Sequence, residues 1–500
     1  MSDIDRKIAK GAAWMVLFKL VDRGIGVVST VVLARLLLPA DFGLVAMAMT
    51  LIGALQLLVA FSFDVALIQN PDAGRDEFDT AWTFNVLFAA ACGVVLALLA
   101  PMAAVFYNEP RLAAVIYSLA IGFVLQGFSN IGPVSFRREM RFDREFKFLL
   151  GKRMATCVTI PLAFYLHNYW ALVIGQLTGT VLSVWLSYSV SDYRPRFSLR
   201  AKVDLFHKSK WLMVNNLFQF LNNRAGQFIL GRYAGAQALG VYSIASEISS
   251  LPTTELVAPV NRAAFPGYAK AAGNLAALRA SFLNVVSSIA MVALPAGVSI
   301  LVVADLLVPA ALGWKWQSAV PIIQILAIYG VIEAVQNNIG YVYLALGRTT
   351  LITWTAGLQF ALLVSLLIPG ILWFGVLGAA GAFLVTMILM IPVNQYLIAR
   401  CLGLSALQFV RHVMRPLVAS SVMGAVVLLL KDALQPRPVT LDYVMALLLC
   451  VAAGALVYAG SLYALWRWAG RPSGPEGYAF ARLEDVLRKR GRVSSQPPGA

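Results

Sequence analysis

Residues 282–309 read FLNVVSSIAMVALPAGVSILVVADLLVP. A run of this kind exceeds the roughly 20 apolar residues that cross a ~30 Å hydrocarbon layer as a helix rising about 1.5 Å per residue. Residues 351–373 and 443–465 are runs of the same kind, and similar ones recur along the chain. Of the 500 residues, 60% are hydrophobic and 13% charged, with a mean hydropathy of +0.76. That balance is far from the near-even apolar and polar mix of water-soluble domains. The expected fold class is therefore all-α: a polytopic membrane protein of about fourteen transmembrane helices. The spans are read at 11–37, 42–69, 80–106, 112–135, 150–168, 169–190, 211–234, 239–263, 281–308, 318–345, 350–372, 375–398, 413–431 and 443–466. A cleavable signal peptide is not expected, because the first apolar segment holds Lys19, Asp22 and Arg23 and runs directly into a second span.

The net charge of +16 would suit an acidic partner, so the positions of the basic residues matter. With the N-terminus inside, alternate loops collect Arg6, Lys7 and Lys10, then the basic residues of 137–147, 194–210, 270–279 and 400–415, then the tail. Roughly 28 of the 40 Lys and Arg fall on the cytoplasmic side, as the positive-inside rule requires. The basic charge thus sets orientation, and no nucleic acid is expected as a partner. The expected location is a bacterial inner membrane, multi-pass, with both termini cytoplasmic. Cys92, Cys157, Cys401 and Cys450 lie singly, with no paired spacing, and the three histidines are far apart. No metal site and no cofactor are expected.

A shift of 197 residues places Trp14 on Trp211, Leu33 on Leu230, Arg35 on Arg232 and Gly43 on Gly240. Deeper in each half, Gly122, Asn130, Ile131, Gly132 and Val134 match Gly330, Asn338, Ile339, Gly340 and Val342 at an offset of 208. Matches carried by Trp, Arg, Asn and Gly, in the same order, indicate a duplicated six-helix unit. Six is even, so both copies cross in the same direction, and two lobes related by a parallel pseudo-two-fold repeat are expected, with a cavity between them. The corresponding divisions are an N-terminal lobe at 1–190, a cytoplasmic linker at 191–210, a C-terminal lobe at 211–398, two additional transmembrane helices at 399–468 and a cytoplasmic tail at 469–500.

A charged side chain at mid-bilayer costs ~2.5–3.5 kcal/mol on insertion scales, so charged groups within spans must face protein or water. Lys19, Asp22 and Arg23 are spaced i, i+3 and i+4, on one helical stripe with Gly26. The seventh span answers with Asn216, Gln219, Asn223 and Arg224, and the 197 offset aligns Lys19 with Asn216 and Asp22 with Gln219. Both first helices are expected to turn these faces to the central cavity. Arg262 and Asn337 extend the polar set, and Asp22, Glu247 and Glu333 are the carboxylates available for ion coupling. For isolated Ser, Thr and Gln, interhelical hydrogen bonding is the simpler role.

The chain has no phosphate-binding loop of the G-x-x-x-x-G-K-[ST] type and no soluble domain to hold one, so ATP drive by this chain is not expected. Short outward loops leave little place for acid, base or metal groups, so it is read as not an enzyme.

The stretch Leu33-Ala34-Arg35-Leu36-Leu37-Leu38-Pro39-Ala40-Asp41-Phe42-Gly43-Leu44 resembles the polysaccharide transporter family of O-antigen, colanic-acid and exopolysaccharide flippases. Thr80-Ala81-Trp82-Thr83, Phe106-Tyr107, Asn130-Ile131-Gly132-Pro133, Phe136-Arg137-Arg138-Glu139-Met140 and Arg262-Ala263-Ala264-Phe265-Pro266 continue the likeness over most of residues 1–400. The resemblance implies the superfamily that also holds multidrug antiporters and peptidoglycan-precursor flippases, built as two six-helix lobes in a V. In that superfamily an extra helix pair, as at 413–431 and 443–466, typifies lipid-linked cargo. The implied function is translocation of an undecaprenyl-diphosphate-linked oligosaccharide by alternating access. Lys19, Arg23 and Arg224 would attract the diphosphate, and Asn216, Gln219, Asn223 and Asn337 would meet sugar hydroxyls. Partners would be the lipid-linked oligosaccharide, membrane lipids, and a polysaccharide polymerase and co-polymerase. The alternative function is a cation-coupled multidrug or small-molecule antiporter.

Overall fold

A computed structural model describes residues 3–59, 67, 74–139, 141–200, 202–435, 440–472, 474–478 and 480; at 3–10, 12–13, 57–59, 202–220 and 406 only the backbone is described. The regular elements of the described residues are all helices. Two compact units divide it, Met1–Ser243 and Ile244–Ala500.

The first unit contains α1 (Asp3–Leu36), α2 (Pro39–Val59), α3 (Arg75–Tyr107), α4 (Arg111–Gly127), the short α5 (Val134–Arg138), α6 (Phe142–Thr156), α7 (Thr159–Leu166) and α8 (Trp170–Ser189). It also takes the first part of α9 (Lys202–Leu251). Helix α3 packs on α4, α8 packs on α4, α6 and α7, and α1 lies along α6. Two predicted spans are interrupted for a local reason. The span expected at 150–168 divides between α6 and α7 at Cys157, because Pro161 has no N–H to give to the Cys157 carbonyl four residues back. The span expected at 112–135 ends at Gly127, and Pro133 opens the separate turn of α5.

Buried Asp41 holds the turn between α1 and α2. Its carboxylate accepts the Leu38 N–H at 2.9 Å and the Tyr169 N–H, at the start of α8, at 3.1 Å. Two glycines matched by the 197-residue offset meet in this unit. A Cβ on Gly43 would stand 1.6 Å from the Ala236 carbonyl oxygen, and one on Gly240 would stand 1.8 Å from the Pro39 carbonyl oxygen. The close approach allows no side chain at either position.

The remainder of α9 continues into the second unit, through the π-turn Pro252–Val257 to α10 (Ala258–Ala271), α11 (Leu275–Leu307) and, past further short turns, α12 (Val320–Ala345). Then come α13 (Thr349–Leu402), α14 (Ala406–Leu434) and α15 (Thr440–Trp468). Both α9 and α13 break at a glycine with positive φ: Gly235 (79°) lies in the loop expected between 234 and 239, and Gly375 (59°) is the first residue of the span expected at 375–398. At Gly375 the chain reverses: a Cβ on Gly370 would lie 2.8 Å from the Gly378 carbonyl oxygen, whereas eight residues of straight helix span about 12 Å. Phe282, Val286, Ile289, Tyr343 and Leu402 centre the buried core of α11, α12 and the end of α13. Helices α14 and α15 form a pair laid on α11. Lys431 joins them to α11 by an ion pair to Asp305 at 2.9 Å, and the Tyr458 hydroxyl donates to the Met291 carbonyl at 2.7 Å.

Among the described residues, nine helices are long and apolar enough to cross a membrane. Helices α1 and α9, which carry the polar stripes, are not among those nine, and α4 is a shorter apolar helix.

Candidate functional site

On α1 the predicted stripe is only partly covered by protein. Lys19 is exposed, Asp22 and Arg23 are half-buried, and the stripe passes the middle of α6. There Arg153 Nε lies 3.0 Å from the Asp22 carboxylate, and an Arg153 terminal nitrogen donates to the Asp22 carbonyl at 3.3 Å. Gly26, one turn along, leaves the space that this guanidinium fills, since a Cβ there would stand 2.6 Å from it. Asp22 is therefore neutralised from α6, by a residue that sequence spacing within one helix could not reveal. The signal available was the basic pair Lys152-Arg153 inside an apolar run.

On α9, Asn223 and Arg224 are both exposed. Arg224 donates to the Gln227 side-chain oxygen at 2.7 Å, and the same oxygen accepts from the buried Thr50 hydroxyl on α2 at 3.2 Å. The guanidinium is thus oriented by a side chain on its own helix that is anchored in turn to α2. Asn216 and Gln219 lie on the same helix, but their side chains fall outside the described residues.

The second unit holds the other predicted polar residues. Arg262 on α10 is exposed, with Nε 3.4 Å from the Ala258 carbonyl, and Asn337 and Glu247 are exposed as well. Glu333 on α12 accepts from the Tyr329 hydroxyl at 3.1 Å. The neighbouring Asn338, by contrast, is fully buried: it donates to Asn261 at 2.7 Å and accepts from Tyr268 at 2.9 Å. The repeated Asn of the 208-residue offset is structural in both units, because Asn130 is buried too.

What surrounds Asn130 explains several motif residues. The segment after α8 runs extended across the ends of α3 and α4 before α9 begins. Asn130 donates to the Tyr193 carbonyl at 2.7 Å and accepts from the Gly132 N–H at 2.8 Å. Buried Asp79 accepts the Arg196 N–H at 2.9 Å and the Tyr193 hydroxyl, and Thr83 accepts the Ser198 N–H at 3.0 Å. Trp82 packs on Phe197 with ring centroids 4.9 Å apart. Burial, and then the bond to Asp79, raise the Tyr193 phenol above the usual tyrosine range, so it stays protonated as a donor. Among the described residues, no group of three or more His, Cys, Asp or Glu gathers to hold a metal ion.

A profile described as "Polysaccharide biosynthesis protein" matches residues 32–321, more than half of the chain. The chain belongs to that family. This polysaccharide biosynthesis protein is 27% identical over 446 residues to the teichuronic acid biosynthesis protein TuaB of Bacillus subtilis (strain 168), covering 88% of this chain and 89% of TuaB. It is 25% identical over 425 residues to the lipopolysaccharide biosynthesis protein WzxC of Escherichia coli (strain K12), covering 83% and 85% of the two chains. Among solved structures, the lipid II flippase MurJ in its inward closed conformation superposes with a TM-score of 0.73 at 13% identity, over 91% of this chain and 99% of MurJ. An inward-facing multidrug resistance MATE family transporter of the MOP superfamily gives 0.59 at 13% identity, over 76% and 96%. The protein is a multi-pass membrane protein of the polysaccharide biosynthesis family, and it shares its fold with MurJ and with the MATE transporter.

Proposed function

We propose that this membrane protein flips an undecaprenyl-diphosphate-linked oligosaccharide from the cytoplasmic to the periplasmic leaflet of a bacterial inner membrane by alternating access. The two lobes would be the duplicated six-helix units, with α14 and α15 as the added pair and both termini cytoplasmic. The reciprocal packing of Gly43 and Gly240 supports the duplication, because residues matched by a two-fold repeat are the ones that meet at its axis.

The observation that carries the reading is the exposure of Lys19 on α1 and of Asn223 and Arg224 on α9, two helices whose polar residues set them apart from the nine apolar spans. Uncovered cations at membrane depth need water or an anionic partner. A diphosphate supplies the anion, and a guanidinium binds its oxygens with two parallel hydrogen bonds. Asn216, Gln219, Asn223 and Asn337 would exchange hydrogen bonds with the sugars, and Arg262 would add positive charge. The names of TuaB and WzxC, both biosynthetic proteins of surface glycans, agree with a glycan cargo. A polymerase and co-polymerase would receive the product.

Changing Arg23 and Arg224 together to Ala should abolish export of the cell's surface glycan while the protein accumulates normally in the membrane. Full export by that double variant, measured by glycan staining with immunoblotting, would reject the role given to these cations. A coupling ion, where one is used, would act at Glu333 or Glu247 in preference to Asp22, whose charge Arg153 already balances.

A further inference from the structure

Within the first unit lies a partly open cavity of about 410 Å³, a size common among ligand sites, lined by parts of α2, α3, α4, α5 and α6 and the turn before α5. Its polar lining includes Gln56, Asn85, Gln126, Arg137, Glu145 and Lys152, and Phe123 and Phe148 give it aromatic walls. Among the described residues, those of the α1 and α9 polar stripes do not line it.

Glu145 is the informative residue. It is 4% exposed, and one carboxylate oxygen accepts from Arg137 Nε. The other oxygen, Oε2, is buried with no hydrogen-bond partner among the described residues. A buried carboxylate oxygen without a donor is strongly disfavoured, and Glu145 is one of the residues that line this cavity.

We infer that this cavity binds a neutral sugar ring, with Glu145 Oε2 accepting one of its hydroxyl hydrogens. The inference rests on the glycan-transport reading only for where the sugar comes from. A phosphate group would bring further negative charge and acceptor oxygens toward Oε2, which is the wrong complement. A metal ion or other cation would be opposed by Arg137, already bound to the same carboxylate. A sugar hydroxyl both donates and accepts, which suits Glu145 together with the amides of Gln56, Asn85 and Gln126. Its ring also has an apolar C–H face, and Phe123 and Phe148 offer surfaces to cover it. Lys152 lies 5.4 Å from the Phe148 ring centre, so part of its charge is directed at that aromatic wall.

The test uses the full-length protein in nanodiscs and saturation-transfer NMR with glucose, galactose and N-acetylglucosamine, with inorganic pyrophosphate as the competitor. Saturation should reach the ring protons of at least one sugar, and affinity should fall about tenfold or more in Glu145→Gln and in Gln126→Ala, as expected when one hydrogen bond to a buried charged group is lost. Should Glu145→Gln fail to fold by thermal melting, Gln126→Ala decides alone. No transfer to any of the three sugars in folded protein would overturn the inference, as would binding that neither variant weakens, or displacement by pyrophosphate. Because free sugars are used, these results are separate from export: a chain that exports glycan but binds no sugar here loses this site and keeps its proposed function.

Discussion

Gly43 and Gly240 show how much one hydrogen atom in place of a methyl group decides. Each approaches the carbonyl of the opposite turn so closely that a Cβ would overlap it, and the obstacle is backbone, which cannot swing aside as a side chain can. Gly240→Val should therefore destabilise the protein by more than the ~1–3 kcal/mol typical of overpacked cores, and Gly43→Val should do the same. Fluorescence-detected size exclusion after heating is the check, and a wild-type melting profile for either variant would contradict this packing. At the same scale, the stripe Lys19, Asp22 and Arg23 was legible from its i, i+3, i+4 spacing. Its partition was not, because Arg153 is more than a hundred residues away in sequence and reaches Asp22 only through the packing of α6 on α1.

Among the elements, the extended segment between α8 and α9 changes the meaning of the family's motifs. Sequence reading treats Thr80 to Thr83 and Asn130 to Pro133 as marks of kinship, and treats 191–210 as a linker. In the structure, Asp79, Thr83 and Asn130 bind the backbone of that segment at Arg196, Ser198 and Tyr193. Asp79→Ala should free it, since removing the acceptor strands both the Arg196 N–H and the Tyr193 hydroxyl. Limited trypsin digestion at Arg196 or Arg200 should then speed up several-fold. Cleavage as slow as in the wild type would mean that the cradle does not hold the segment. The helices themselves were readable because twenty apolar residues in a row leave the backbone no solvent partner, and a helix satisfies every peptide group internally. Their ends were less readable where proline acted, as at Pro161 and Pro133, because the break depends on which carbonyl loses its donor.

For the whole molecule, the asymmetry of Lys and Arg sets the expected orientation. Single cysteines placed in a background lacking the four native ones, at Arg138 and Arg411, should be inaccessible to a membrane-impermeant maleimide added to intact spheroplasts, and should react after lysis. Labelling of either site before lysis would invert the expected topology. The superposition on MurJ agrees with the all-helical, polytopic membrane fold reached from hydropathy, although identity to MurJ is only 13%. A fold can persist at such distance because lipid constrains the pattern of apolar residues more than their identities. The cargo depends instead on particular side chains.

By itself the sequence determined that the chain spans a membrane many times and that charges lie inside its apolar runs. These are properties of local composition and periodicity, and no folding is needed to count them. Only the tertiary structure decided that Arg153 balances Asp22, that Asp79, Thr83 and Asn130 bind the backbone of the 191–200 segment, and that a carboxylate oxygen of Glu145 lies buried with no hydrogen-bond partner among the described residues. Each of those depends on distances between residues that lie on different elements, and sequence order does not encode such distances directly.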